Sequence, residues 1–213
     1  MVITYYGIAC IKVQSGEAVY AFDPPAKQSA ARTPRFQADV VFISSSHPLH
    51  SGKDALAGKD NAPIVLEHPG EYEIGGVAIR AVQSWRNAQQ SPALQNTIYI
   101  ATVEELRLCH LGGFGEGALR PETKADIGSV DILFLPIGAN GLPPETAAKI
   151  INDIEPRITV PLYHAPTNTP RVLDAFLKET GAENEKPAEK LTIKKKDVAV
   201  KESAVVLLQP QLA

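Results

Sequence analysis

The chain has 213 residues, of which 44% are hydrophobic and 21% charged, with a formal net charge of −3. This is the make-up of an ordinary globular protein, without the basic excess that nucleic-acid binding leans on. No stretch is long and apolar enough to span a bilayer, and the opening MVITYYG lacks the charged-then-apolar layout of a signal peptide. Cys10 and Cys109 lie in apolar runs and form no CxxC, so two buried free thiols in a cytoplasmic protein are expected, with a disulfide left open.

Short β-type runs fill the first third: 2–6, 9–13, 18–22 and 39–44, each bounded by Gly, Pro or polar residues such as Ser15-Gly16 and Asp23-Pro24-Pro25. A strand at 63–67 follows, then a hairpin over 72–82 turning at Gly75-Gly76, then a second hairpin over 97–111 turning near Glu104 and Glu105. VDILFLPIG (130–138) is almost wholly apolar and reads as a central strand buried on both faces. Pro143-Pro144 opens a helix over 145–155 whose Ala147, Ile150, Ile151 and Ile154 share one face, and Pro156 ends it. A strand at 157–164 leads to a helix starting at Pro170 and closed by Gly181; LTIKKK and AVVLLQ read as two last strands.

The residues that carry chemistry gather after the run 39–44. VFISSSHPLHSG (41–52) takes an apolar strand into Ser44, Ser45 and Ser46, then into His47 and His50. Imidazoles at a strand end can hold a metal or act as a base, yet no carboxylate accompanies them and Leu49 stands between. The serines also admit a metal-free hydrolase with His47 or His50 as base. Against it, no G-x-S-x-G elbow is present and no third group is placed to orient the base; a polar turn capping a following helix is the plainer reading. Gly112 to Gly117 lacks a GK[ST] and a clear following helix, so it reads as a flexible loop lining the mouth of a site. The lysines of the tail (Lys186, Lys190, Lys194, Lys195, Lys196, Lys201) are diluted by acids and read as a solvated, lysine-guarded edge strand rather than an RNA surface.

Several of these stretches together resemble the metallo-β-lactamase fold, in particular its simple single-domain Zn-dependent hydrolases. They are ITYYGIACIKV (3–13) with FDP (22–24), VFISSSHPLH (41–50), PGEYEIGGV (69–77), NTIYI and LCHLG within 96–112, VDILFLPIG (130–138), ETAAKII and IEPRITVP within 145–161, and KLTIKKKD (190–197). The resemblance implies an α/β fold, an αββα (α+β) sandwich of two mixed β-sheets packed face to face with helices outside, in one domain over 1–213. It also implies a two-metal hydrolytic centre, fed by H-x-H-x-D-H after one strand, a lone His, an Asp and a final His at other strand ends. Ligands of that kind lower the pKa of a bridging water.

This sequence departs from that pattern at nearly every ligand position. The first motif reads Ser45-x-His47-x-Leu49-His50, so only His47 and His50 keep a ligand. Arg86 stands where the lone His is implied, Leu111-Gly112-Gly113 replaces L-G-D, and Tyr163 replaces the final His, with His164 one place late. A glycine-histidine pair implied near the start is Gly7-Ile8. The expectation is therefore a hydrolase-like protein with a degenerate metal site and no cofactor, acting as a binding or interaction module. Its pocket would be lined by Ser45, His47, His50, Arg86, His110, Gly113, Tyr163 and His164, with Asp23 and Glu71 as supporting carboxylates. Arg86 and nearby glycine amides could hold an anionic small molecule, and a protein partner is open. The alternatives are an ester, lactone or phosphoester hydrolase with one zinc or other divalent metal on His47 and His50, and an RNA-associated module.

Overall fold

The computed structural model of the chain describes residues 1–29, 31–86, 94–138, 141–162 and 170–211. The strands in chain order are β1 (Val2–Tyr5), β2 (Ile11–Ser15), β3 (Ala18–Phe22), β4 (Val40–Phe42), β5 (Ile64–Leu66), β6 (Gly70–Ile74), β7 (Val77–Trp85), β8 (Gln95–Val103) and β9 (Leu106–His110). Then come α1 (Pro121–Ile127), β10 (Ile132–Pro136), α2 (Pro144–Ile154), β11 (Ile158–Leu162), α3 (Pro170–Glu179), β12 (Leu191–Thr192), α4 (Lys195–Ala199) and β13 (Ala204–Val205).

They form two mixed sheets, ordered β12-β1-β2-β3-β4-β5 and β13-β11-β10-β9-β8-β7-β6. In each sheet an antiparallel meander passes into parallel strands, at β3–β4 in the first and β9–β10 in the second. The parallel strands need crossovers, and α2 supplies the one between β10 and β11. β10 lies between β9 and β11 with all five residues buried, which is why its sequence is apolar without alternation.

Apolar side chains from both sheets meet face to face, among them Ile3, Phe22, Phe42, Tyr99, Phe134 and Val160. The outer face of the second sheet packs Ile98, Ile100, Leu133 and Leu135 against Ile127 of α1, the apolar stripe of α2, and Phe176 and Leu177 of α3. The layering is asymmetric, because the outer face of the first sheet is covered by a small cluster of Val19, Ala21, Val41 and Ile43 with Ala38 and Leu56 from connecting segments. Tyr99 ties the sheets together, its hydroxyl lying 3.0 Å from the Ile43 carbonyl and 2.8 Å from that of Leu66.

Turn chemistry follows the sequence in most places. Gly75 and Gly76 both take positive φ, and so do Glu104 and Glu105, where the N-terminal ammonium bonds the Glu104 carboxylate at 2.8 Å. Gly181 closes α3 in the left-handed region at φ 66°. Two expectations need correction. Pro121 begins a helix, α1, with Pro in its first turn and Ile127 buried below it. LTIKKK is a strand only over Leu191–Thr192; the lysines open α4, where Asp197 accepts the Lys194 amide at 3.0 Å and Val198 anchors the turn in the core. AVVLLQ likewise forms only the short β13, with an isolated bridge from Ala188 to Leu208. Cys10 and Cys109 are free and buried, and burial pushes the Cys10 thiol far up and that of Cys109 to about 12.

Candidate functional site

The carboxyl ends of β3, β4, β7 and β9 converge on one edge of the sandwich, and the sequence-predicted residues of the described chain divide there into two groups. The first is built on Asp23, which follows β3 directly. Its backbone holds a left-handed conformation, φ 45°, with its amide bonded to the Phe42 carbonyl at 2.9 Å. That strained turn aims the carboxylate under the loop after β4. There Oδ1 accepts the Ser44 amide at 2.7 Å, while Oδ2 accepts the Ser44 hydroxyl at 2.6 Å and faces His50 Nδ1 at 2.7 Å. All three residues are buried. Burial pushes the Asp23 carboxyl up, but the charge and hydrogen bond of His50, with help from His110 and Ser44, outweigh it and hold the group below the usual range.

These bonds decide the role of the serines. Ser44 Oγ gives its proton to a carboxylate, and the His50 nitrogen 3.3 Å away is the one already bound to Asp23, so no base is aimed at Ser44 as a nucleophile needs. Nor does a helix follow for the serines to cap: the chain turns from His47 to His50, whose amide meets the His47 carbonyl at 2.8 Å. Ser45 Oγ accepts the His47 amide at 3.3 Å, and His47 Nδ1 accepts that of Leu49 at 3.3 Å, which leaves the His47 proton on Nε2. The His47 and His50 rings stand edge to face, 6.1 Å apart. Burial, then the charges of Arg86 and His50, lower the His47 pKa.

The second group sits at the ends of β7 and β9. Arg86 is buried, 7% exposed, with its amide bonded to the Leu94 carbonyl at 2.9 Å. Gly115 lies so close that a Cβ there would overlap the Arg86 carbonyl, and its own amide bonds Trp85 at 3.0 Å. The Arg86 side chain then runs past Gly113: a Cβ on Gly113 would stand 3.3 Å from Arg86 Cδ and 3.4 Å from His50 Cε1. The arginine, the missing side chain at 113 and the His50 ring therefore share one space. Arg86 Nη1 is buried there without a hydrogen-bond partner.

His110 ends β9 and is saturated. Its Nε2 donates to the Ala9 carbonyl at 2.9 Å, its Nδ1 accepts the Gly112 amide at 3.0 Å, and its ring stacks on Phe22. Burial holds its pKa low, against the opposing pull of Asp23 and the Ala9 bond. Asn96, which sequence reasoning did not single out, closes the same turn. It accepts the Gly113 amide at 2.8 Å and donates to Ser84 and the Leu111 carbonyl. Its signal was only a polar residue opening an apolar strand.

Three expectations are corrected here. The amides of Gly112 and Gly113 are taken by His110 and Asn96, so they offer nothing to an anion. The glycine-rich segment is a pinned turn rather than a free loop, with Gly112 at φ 61° against Ser44 and Asn96 and with Phe114 buried. Glu71 lies on β6 opposite Arg80, 75% exposed and paired with that arginine at 3.1 Å, on the strand's solvent side rather than beside the histidines. Tyr163 and His164 lie outside the described residues.

A cleft of about 540 Å³ opens beside this edge, lined by Ser44, Ser45 and Ser46 with Thr97, Gln95 and His68. Among the described residues no three His, Cys, Asp or Glu side chains gather as a metal site would require.

A family model described as a β-lactamase superfamily domain matches residues 2–163. A UPF0173 protein of Pyrococcus abyssi is 26% identical over 185 residues, covering 77% of this chain and 83% of its own length. A UPF0173 metal-dependent hydrolase of Carboxydothermus hydrogenoformans is 26% identical over 194 residues, covering 77% of this chain and 84% of its own. Among solved structures, a metallo-β-lactamase superfamily protein from Thermotoga maritima superposes with a TM-score of 0.76 at 24% identity, covering 97% of both chains. A metallo hydrolase from Ignicoccus hospitalis follows with a TM-score of 0.65 at 15% identity, covering 98% of this chain and 95% of its own.

Proposed function

The chain belongs to the β-lactamase superfamily, and from that premise we propose that it is a metal-independent member, a pseudoenzyme with respect to metallohydrolysis that works as a binding module. The observation that carries this reading is the side chain of Arg86, which together with the His50 ring crowds the space over the bare α-carbon of Gly113. A guanidinium is permanently charged and cannot ligate, and it repels the cation that histidine and aspartate at those positions would attract. A side chain at 113 would press on both Arg86 and His50, at 3.3 and 3.4 Å. The relatives named metal-dependent hydrolases supply the opposite expectation, so the reading is about this chain's own site. The two buried free thiols and the lack, among the described residues, of any helix able to cross a membrane fit a cytoplasmic setting.

Metal content tests the proposal directly. Protein purified without chelator is expected to carry no stoichiometric zinc, manganese or iron. Stoichiometric metal that disappears in His47→Ala and His50→Ala would replace this reading with a single-metal hydrolase.

A further inference from the structure

The Arg86 side chain carries more than the loss of a metal. Its backbone is locked on both sides, by the Leu94 carbonyl and by the close approach of Gly115, so the side chain leaves from a fixed point. The buried carboxylates are committed elsewhere: Asp23 to Ser44 and His50, and Glu116 to the Trp85 amide and the Arg120 guanidinium. The glycine amides are spent as well. What remains is a buried cation with an unpartnered N–H, and at the same strand-end edge His47, whose Nδ1 accepts the Leu49 amide, carries a proton on Nε2. An uncompensated charge and an open donor at a buried position are costly, and a ligand that supplies both the charge and the acceptor removes that cost.

We propose that Arg86 anchors a small carboxylate, with His47 Nε2–H as a second donor; this rests on the metal-independent reading above. One cation at the site balances a single negative charge, whereas a phosphate dianion would leave one in excess. A carboxylate also has the planar pair of acceptors that a guanidinium matches in a fork. The φ of Gly113 lies outside the left-handed region, and a side chain there would press on Arg86 Cδ and Cγ at 3.3 and 3.5 Å and on His50 Cε1 at 3.4 Å.

The test is a thermal-shift titration at constant ionic strength with sodium acetate, inorganic phosphate and sodium chloride. Wild-type protein is expected to gain Tm saturably with acetate, less with phosphate, and not with chloride. Arg86→Gln is expected to lose the acetate response. Gly113→Asp, which sets a carboxylate beside the guanidinium, is expected to abolish the response even if Arg86→Gln folds poorly. An acetate response equal in wild type and either variant, or no response in wild type, overturns the assignment, as does a larger saturable shift with phosphate. Metal analysis of the same preparation separates the two failures. Bound metal defeats the metal-independent reading, while metal-free protein indifferent to acetate defeats only the carboxylate.

Discussion

The two halves of the site meet at His50 and differ in how their polar groups are satisfied. On the β3–β4 side, the Asp23 carboxylate, the Ser44 amide and hydroxyl and His50 Nδ1 form a set partnered within 2.6 to 2.7 Å. On the β7–β9 side, Arg86 brings a full charge into a wall of glycine and leaves Nη1 without a partner. Both are charged, both are buried, and both lie at strand ends. The first arrangement holds the loop and therefore serves the fold. The second weakens the fold unless something from outside completes it, which is how binding sites differ from structural ones.

Mutations that empty each half should therefore move stability in opposite directions. Asp23→Ala removes the acceptor for an amide, a hydroxyl and an imidazole at once, and urea unfolding is expected to show a loss of about 3–5 kcal/mol. A loss under 1 kcal/mol would mean that water replaces the carboxylate and that this half is not closed. Arg86→Met keeps the stem that packs on Gly113 and removes the unpaired charge. Ligand-free protein should gain about 1–3 kcal/mol by the same measurement. Destabilisation instead would show that the guanidinium is satisfied in solution.

The pH dependence is expected to be smaller in each step and separates the halves again. The folded-state pKa of His110 is depressed, so the unfolded chain takes up a proton first as pH falls below about 6.5, and stability declines from there. The Asp23 carboxyl is also depressed, so its contribution is full above the unfolded value of about 3.9 and is lost as pH falls through the lower folded value. Imidazole resonances should report His110 titrating below a free imidazole; a titration above it would mean a ring protonated at the cost of the bond from the Gly112 amide.

Legibility in the sequence followed the kind of signal each part gave. Strands and the α2 stripe announce themselves through apolar periodicity, because each element buries one face or two against a neighbour. The elements misread were short: α1 and α4 bury one or two residues each, too few to outweigh a proline or three lysines. At the site, the departures at Ser45, Leu49, Arg86 and Gly113 could be read singly, but not that Arg86 and His50 both close on Gly113. Asn96 was unreadable because its three partners come from β7 and the β9 turn, at 84, 111 and 113.

The sequence by itself determined that two sheets form around an apolar core and which residue types stand at the strand ends. Residue type and local periodicity suffice for both. Only the tertiary structure decided which polar groups at those ends are spent on one another and which are left over. Partnership depends on ångström-scale approach between strands far apart in the chain. Asp23 reached His50 and closed one half; nothing in the described fold reached Arg86 Nη1.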